Sequence, residues 1–177
     1  MRKTAVVLAA LLLASPVSAH EEPYQHDEGA IVKVVCNLGS GSATRVGRNT
    51  YISVHHVTKN TGCRVHGVPI EVTYSDESRD FSTFLGPSGL ETIPISCQGY
   101  QTGNAYIARG YAFGGDEPWF QPVMAVARYE ELWAMLGDIF PGMSGGPVID
   151  KGGRIVGTVN IMNPSGSVSL SDTPVCQ

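Results

Sequence analysis

Pro141-Gly142-Met143-Ser144-Gly145-Gly146-Pro147 is the stretch that most constrains this chain. One hydroxyl stands among three glycines and two prolines. Glycine permits close backbone approach and left-handed conformations, and proline stiffens the turn. Such a segment can aim the amides of Gly142 and Ser144 at one point beside the serine oxygen. That arrangement suits an oxyanion, for which each preorganised donor is worth about 2.7–4 kcal/mol. The alternative is a glycine-rich hairpin with an incidental serine. The segment also satisfies G-x-S-x-G, the elbow of α/β-hydrolases, which requires an acid and then a histidine after the serine. All five histidines (20, 26, 55, 56 and 66) precede Ser144, so that fold is excluded.

The first residues are read as a leader. Arg2 and Lys3 precede an apolar run from Ala5 to Leu13, and Val17-Ser18-Ala19 offers small residues for cleavage after Ala19. This pattern predicts a signal peptide over 1–19 and a secreted or periplasmic protein, with no membrane anchor further on. Loss of the two leader cations moves the formal charge from −4 to −6, which argues against a nucleic-acid partner. The four cysteines (36, 63, 97, 176) all follow the leader, where two disulfides are expected. Of three connectivities, Cys36–Cys63 with Cys97–Cys176 keeps each pair within one half of the chain. Cys63 and His66, with His55 and His56 nearby, lack a second paired motif, so no metal or other cofactor is expected.

From Ile31 the chain becomes a series of short β-rich runs separated by glycine, asparagine and proline. Expected strands cover Ile31–Leu38, Ala43–Val46, Tyr51–Val54, Val68–Tyr74 and Phe81–Leu85. Gly39-Ser40-Gly41-Ser42 reads as a turn between the first two. Gly86-Pro87-Ser88-Gly89 then interrupts the pattern, which places a boundary between domains 20–88 and 89–177. Strands resume at Ala105–Tyr111, Pro122–Arg128, Val148–Ile149, Arg154–Ile161 and Ser167–Ser171. Tyr129–Leu136 is the one stretch with helical character. The reading is all-β, as barrels or sandwiches.

A serine needs a base to become a nucleophile, and the base needs a carboxylate to orient it. Tyr51–Val57 ends a hydrophobic strand in two histidines, His55 and His56. Arg79–Leu85 opens another with Asp80, and Asp76 lies close by. The chain order is histidine, aspartate, serine.

With these three segments the chain resembles the chymotrypsin-like (trypsin-fold) serine proteases, most closely their compact bacterial and viral members. The resemblance covers nearly all of 20–177. It implies two six-stranded antiparallel β-barrels with the active site in the cleft between them. It further implies a serine endopeptidase acting on protein or peptide substrates, expected to be a monomer. Carried over by position, His56 is the general base, with His55 its rival. Asp80 is the orienter, with Asp76 its rival. Ser144 is the nucleophile, and the amides of Gly142 and Ser144 form the oxyanion hole. Val156–Ile161, including Asn160, is similar to the strand that pairs with substrate. Asp138 falls where trypsin-like members bind a basic side chain, and Met162 falls where an open pocket has glycine. Met143 replaces the aspartate that zymogen-type members use to bind a new amino terminus. A catalytically silent binder and an esterase on the same triad remain alternatives.

Overall fold

The computed structural model describes residues 29–129, 132–162 and 168–172. The expected leader, and Cys176 of the second expected disulfide, lie outside them.

Among the described residues, seven strands precede the Gly86–Gly89 break and six follow it. The first set is β1 (Ile31–Cys36), β2 (Gly39–Arg45), β3 (Thr50–Ser53), β4 (Arg64–Val65), β5 (Val68–Pro69), β6 (Glu71–Asp76) and β7 (Phe81–Leu85). A one-turn helix, α1 (His55–Thr58), follows β3. These strands form one sheet in the order β5-β4-β1-β2-β3-β7-β6, with every neighbouring pair antiparallel. The expected count was six. The seventh strand comes from a two-residue hairpin, β4–β5, whose turn places His66 and Gly67 at φ 49° and 79°. Two successive left-handed residues make the turn that suits strand twist.

The second set is β8 (Ala105–Gly110), β9 (Trp119–Tyr129), β10 (Leu132–Leu136), β11 (Pro147–Ile149), β12 (Ile155–Met162) and β13 (Val168–Asp172). They close into a six-stranded antiparallel barrel in the order β10-β13-β12-β11-β8-β9. The protein is therefore all-β with two packed antiparallel units, as expected.

Two expectations are corrected. The helix expected at Tyr129–Leu136 is β10 from Leu132 onward, paired with both β9 and β13. Its register with β9 shifts between Ala134 and Met135, which buries two consecutive residues and breaks the strand alternation. The turn expected at Gly39–Ser42 belongs to β2. Cys36 pairs directly with Gly39, leaving Asn37 and Leu38 as the two-residue turn.

Each unit has its own apolar cluster. In the first, Val32, Val34, Val54, Val57, Val65 and the stacked pair Tyr51–Phe84 fill the sheet's concave side. In the second, Tyr106, Val123, Met135, Met143, Val148 and Val156 fill the barrel. A third cluster joins them: Ile31, Ile52 and Phe81 from the first unit meet Tyr111, Ile149 and Ile155 from the second. Burying a large aliphatic or aromatic side chain contributes about 1.5–3 kcal/mol. This shared layer therefore fixes the two units against each other, and the groups at their junction with them.

The connecting segment is strapped down as well. Buried Arg45 donates Nε to the Tyr51 hydroxyl (2.9 Å) and Nη1 to the Glu91 carbonyl (3.3 Å). Its own carbonyl accepts the Ile93 amide (3.1 Å). Cys36 and Cys63 form the first expected disulfide, tying β1 to the segment after α1.

Candidate active site

His56 and Asp80 come together at the end of the β6–β7 hairpin. The first amides of a helix have no intrahelical acceptor, and α1 has no side-chain N-cap. Asp80 supplies one from across the sheet: its Oδ1 accepts the His56 backbone amide at 2.9 Å. Its Oδ2 lies 2.7 Å from His56 Nδ1. An ionised carboxylate only accepts hydrogen bonds, so Nδ1 carries the proton. In the neutral ring, Nε2 is then left as the acceptor. Asp80 holds this pose at φ 46°, a left-handed value that aspartate tolerates better than most residues. Its side chain is only 18% exposed, against 40% for His56, so the pair is only partly screened by water.

The rivals are engaged elsewhere. His55 Nδ1 lies 2.7 Å from the Ser75 hydroxyl, on the exposed face. Asp76 accepts the Ser78 hydroxyl (2.7 Å) and the Arg79 amide (3.1 Å), closing the hairpin turn. These bonds hold its carboxyl below the usual carboxylate range.

The serine segment is built from backbone rather than from side-chain charges. Gly142 and Gly145 sit at φ 92° and 87°. A Cβ on Gly142 would meet the Tyr111 carbonyl, and one on Gly145 would meet the Ser42 carbonyl and the Ser53 hydroxyl. Only glycine fits there. Met143 is fully buried in the barrel cluster and pins the segment from beneath.

Each peptide unit is oriented by its carbonyl. The Pro141 carbonyl accepts the Phe113 amide (2.6 Å), and the Met143 carbonyl accepts the Gly146 amide (2.9 Å). In a trans peptide the N–H points opposite to the C=O, and no cis bonds occur among the described residues. The amides of Gly142 and Ser144 are thereby turned away from those partners. Neither donates to a protein acceptor among the described residues. Meanwhile the Ser144 carbonyl accepts the Ser42 amide (2.8 Å), and the Gly145 amide donates to Val159 (2.6 Å).

His56 and Ser144 line one cavity of about 150 Å³, walled by Cys36, Leu38, Gly39, Ser40, Val57 and Asn60. Asn60 closes α1 by donating its side-chain amide to the His56 and Val57 carbonyls (3.0 Å each). A larger cavity of about 540 Å³ lies among Gln98, Gln101, Tyr106, Asp150 and Arg154. It includes neither His56 nor Ser144, and its arginine is paired with Asp150 at 3.2 Å.

Of the expected specificity residues, Asp138 and Asn160 are not among those lining this cavity. Asp138 is exposed after β10 and does not line it. Asn160 is buried in β12, where the pairing with β13 shifts register, and its side-chain oxygen and nitrogen have no hydrogen-bond partner among the described residues. Met162 ends β12, and its side chain lies outside the described residues.

Sequence reasoning missed the groups that join the two halves. Ser42 is fully buried and donates its hydroxyl to the Gly142 carbonyl (2.7 Å) while accepting the Tyr111 amide (2.9 Å). Ser53 donates to the Ser42 carbonyl (2.8 Å). A Cβ on Gly41 would strike Val57 and crowd the Ser144 carbonyl. The signal was present as small residues in β2, but it reads equally well as a turn. Tyr111 packs at the same junction, where burial pushes its hydroxyl above the ordinary tyrosine range.

Among the described residues no three histidine, cysteine, aspartate or glutamate side chains are placed to hold a metal ion. None of their helices is long and apolar enough to cross a membrane.

Two packed antiparallel β units with these groups at their junction define the fold of the chymotrypsin-like serine proteases. Solved structures bear this out. The inactive form of Rv3671c from M. tuberculosis H37Rv, as a serine-to-alanine mutant, superposes with a TM-score of 0.75 at 18% identity, over 90% of this chain and 88% of that one. The serine endoprotease from Yersinia pestis gives 0.75 at 14% identity, over 85% and 61%. The HtrA-type protease AlgW with a tripeptide gives 0.70 at 20%, over 84% and 57%. No family model and no curated protein sequence matches the chain.

Proposed function

We propose that this protein is an exported serine endopeptidase working through His56, Asp80 and Ser144, with residues 20–88 and 89–177 as its two domains. The observation that carries the reading is one cavity walled by Ser144 and by a histidine whose Nδ1 is committed to a carboxylate. His56 Nε2 takes the proton as Ser144 Oγ attacks the scissile carbonyl. The resulting oxyanion is met by the free amides of Gly142 and Ser144. Asp80 stabilises the imidazolium, which then protonates the leaving amine, and water repeats the sequence on the acyl-enzyme. The name of AlgW as an HtrA-type protease with a tripeptide, and that of the Yersinia endoprotease, support polypeptide as the substrate class.

Export is supported by the Cys36–Cys63 disulfide, since such bonds persist in oxidising compartments. Buried Met143 leaves no carboxylate beside the nucleophile to pair with a new amino terminus, so removal of the leader suffices for activity. The test is reaction of purified 20–177 with a serine-directed phosphonate. A single adduct on Ser144, absent from Ser144→Ala, is expected. No adduct on folded protein would favour a peptide-binding role without catalysis.

A further inference from the structure

Three aromatic rings crowd the surface beside the serine segment. Phe113, Trp119 and Phe140 have centroid separations of 6.3, 5.2 and 5.7 Å, taken as Phe113–Trp119, Phe113–Phe140 and Trp119–Phe140. Phe113 is 66% exposed and Trp119 47%. Rings of this size are normally placed inside, and an exposed group of them marks a contact surface.

The fold also spends conformational energy to keep them there. Phe113 sits at φ 54°, unfavourable for a bulky side chain and retained where surrounding contacts enforce it. Those contacts are specific. The Phe113 amide donates to Pro141, the residue before Gly142. Lys33, reaching across from β1, donates Nζ to the carbonyls of Gly114 (2.5 Å) and Gly115 (3.2 Å). The ring cluster is thus fixed to both halves of the site.

Its side of the site follows from the proton path. His56 must deliver its proton to the leaving amine, so that part of the substrate departs over the cavity shared by His56 and Ser144. That cavity is walled by Leu38, Gly39 and Ser40. The Ser40 hydroxyl in turn abuts Gly114, 3.1 Å from where a Cβ would lie. The ring cluster therefore begins where the leaving-side wall ends.

We propose that Phe113, Trp119 and Phe140 form a subsite for a large apolar side chain on the leaving-group side of the scissile bond. This rests on the endopeptidase reading. The occupant is the substrate polypeptide itself, because a chain lying in the Ser144 cavity and leaving past Ser40 runs onto the rings.

The experiment compares peptides that differ only in the two residues after the cleaved bond, phenylalanine or leucine against serine. Wild type should favour the apolar peptides in kcat/KM by at least about tenfold, through burial of one side chain. Trp119→Ala should bring the ratio close to one. Phe113→Gly should do the same while keeping the turn, since glycine accepts positive φ freely. A wild-type ratio near one, or a ratio that survives both substitutions, would overturn the proposal. Phosphonate labelling separates the failures. Labelled protein without the preference sinks the subsite alone, whereas wild type that neither labels nor cleaves sinks the endopeptidase reading and the subsite together.

Discussion

The two halves of the site are built by opposite means. On the first sheet a single carboxylate does the positioning: Asp80 holds both the backbone and the ring of His56, at 2.9 and 2.7 Å. On the barrel the serine segment is held mainly by backbone. Ser144 is placed by glycines at positive φ, by buried Met143, and by carbonyls committed to Phe113, Gly146 and Ser42. The first half should be sensitive to proton and charge, and the second to added volume.

Substitutions can break that contrast. Asp80→Asn should lower kcat about 10⁴-fold, because an amide at this place favours the wrong imidazole tautomer. The protein should remain folded, with stability read by denaturant titration and turnover by peptide hydrolysis. Asp76→Asn should leave kcat near wild type, since Asp76 serves the turn and not His56.

Gly145→Ala tests the other half. The new Cβ has no room beside the Ser42 carbonyl, and the left-handed conformation alone costs about 1–2 kcal/mol. Stability should fall by several kcal/mol and labelling of Ser144 should fall with it. Ser42→Ala is milder. It leaves the Tyr111 amide and the Gly142 carbonyl without their shared partner, for a loss of about 1–3 kcal/mol.

These two halves were not equally legible in the sequence. Side-chain chemistry declares itself by residue type and order, so a histidine, an aspartate and a serine in that order stood out, with His55 and Asp76 as rivals to His56 and Asp80. The choice of His56 over His55 rested on resemblance, and the bond from His55 to Ser75 gives it a physical reason. Backbone chemistry does not declare itself. Gly41 and Ser42 are small because the serine segment packs on them, yet small residues in series also spell a turn. Leu132–Leu136 was misread for a related reason: a register shift in a strand buries neighbours in a way that imitates a helix.

The smallest effect expected concerns the seam between the halves. Tyr111 donates its hydroxyl to the Ile31 carbonyl (3.2 Å), and burial raises its pKa above the unfolded value near 10. The folded state then holds this proton more tightly than the unfolded chain does. Its contribution is complete below about pH 10 and is lost as pH rises toward the folded pKa. Thermal midpoints should fall on the alkaline side, and Tyr111→Phe should fall less steeply there.

If the two halves act as one catalytic unit, a double-mutant cycle in kcat will show it. Ser144→Ala and His56→Ala should each remove on the order of a millionfold, and the double variant should lose no more than either alone. Losses that multiply in the double variant, or substantial turnover surviving in either single one, would contradict the account.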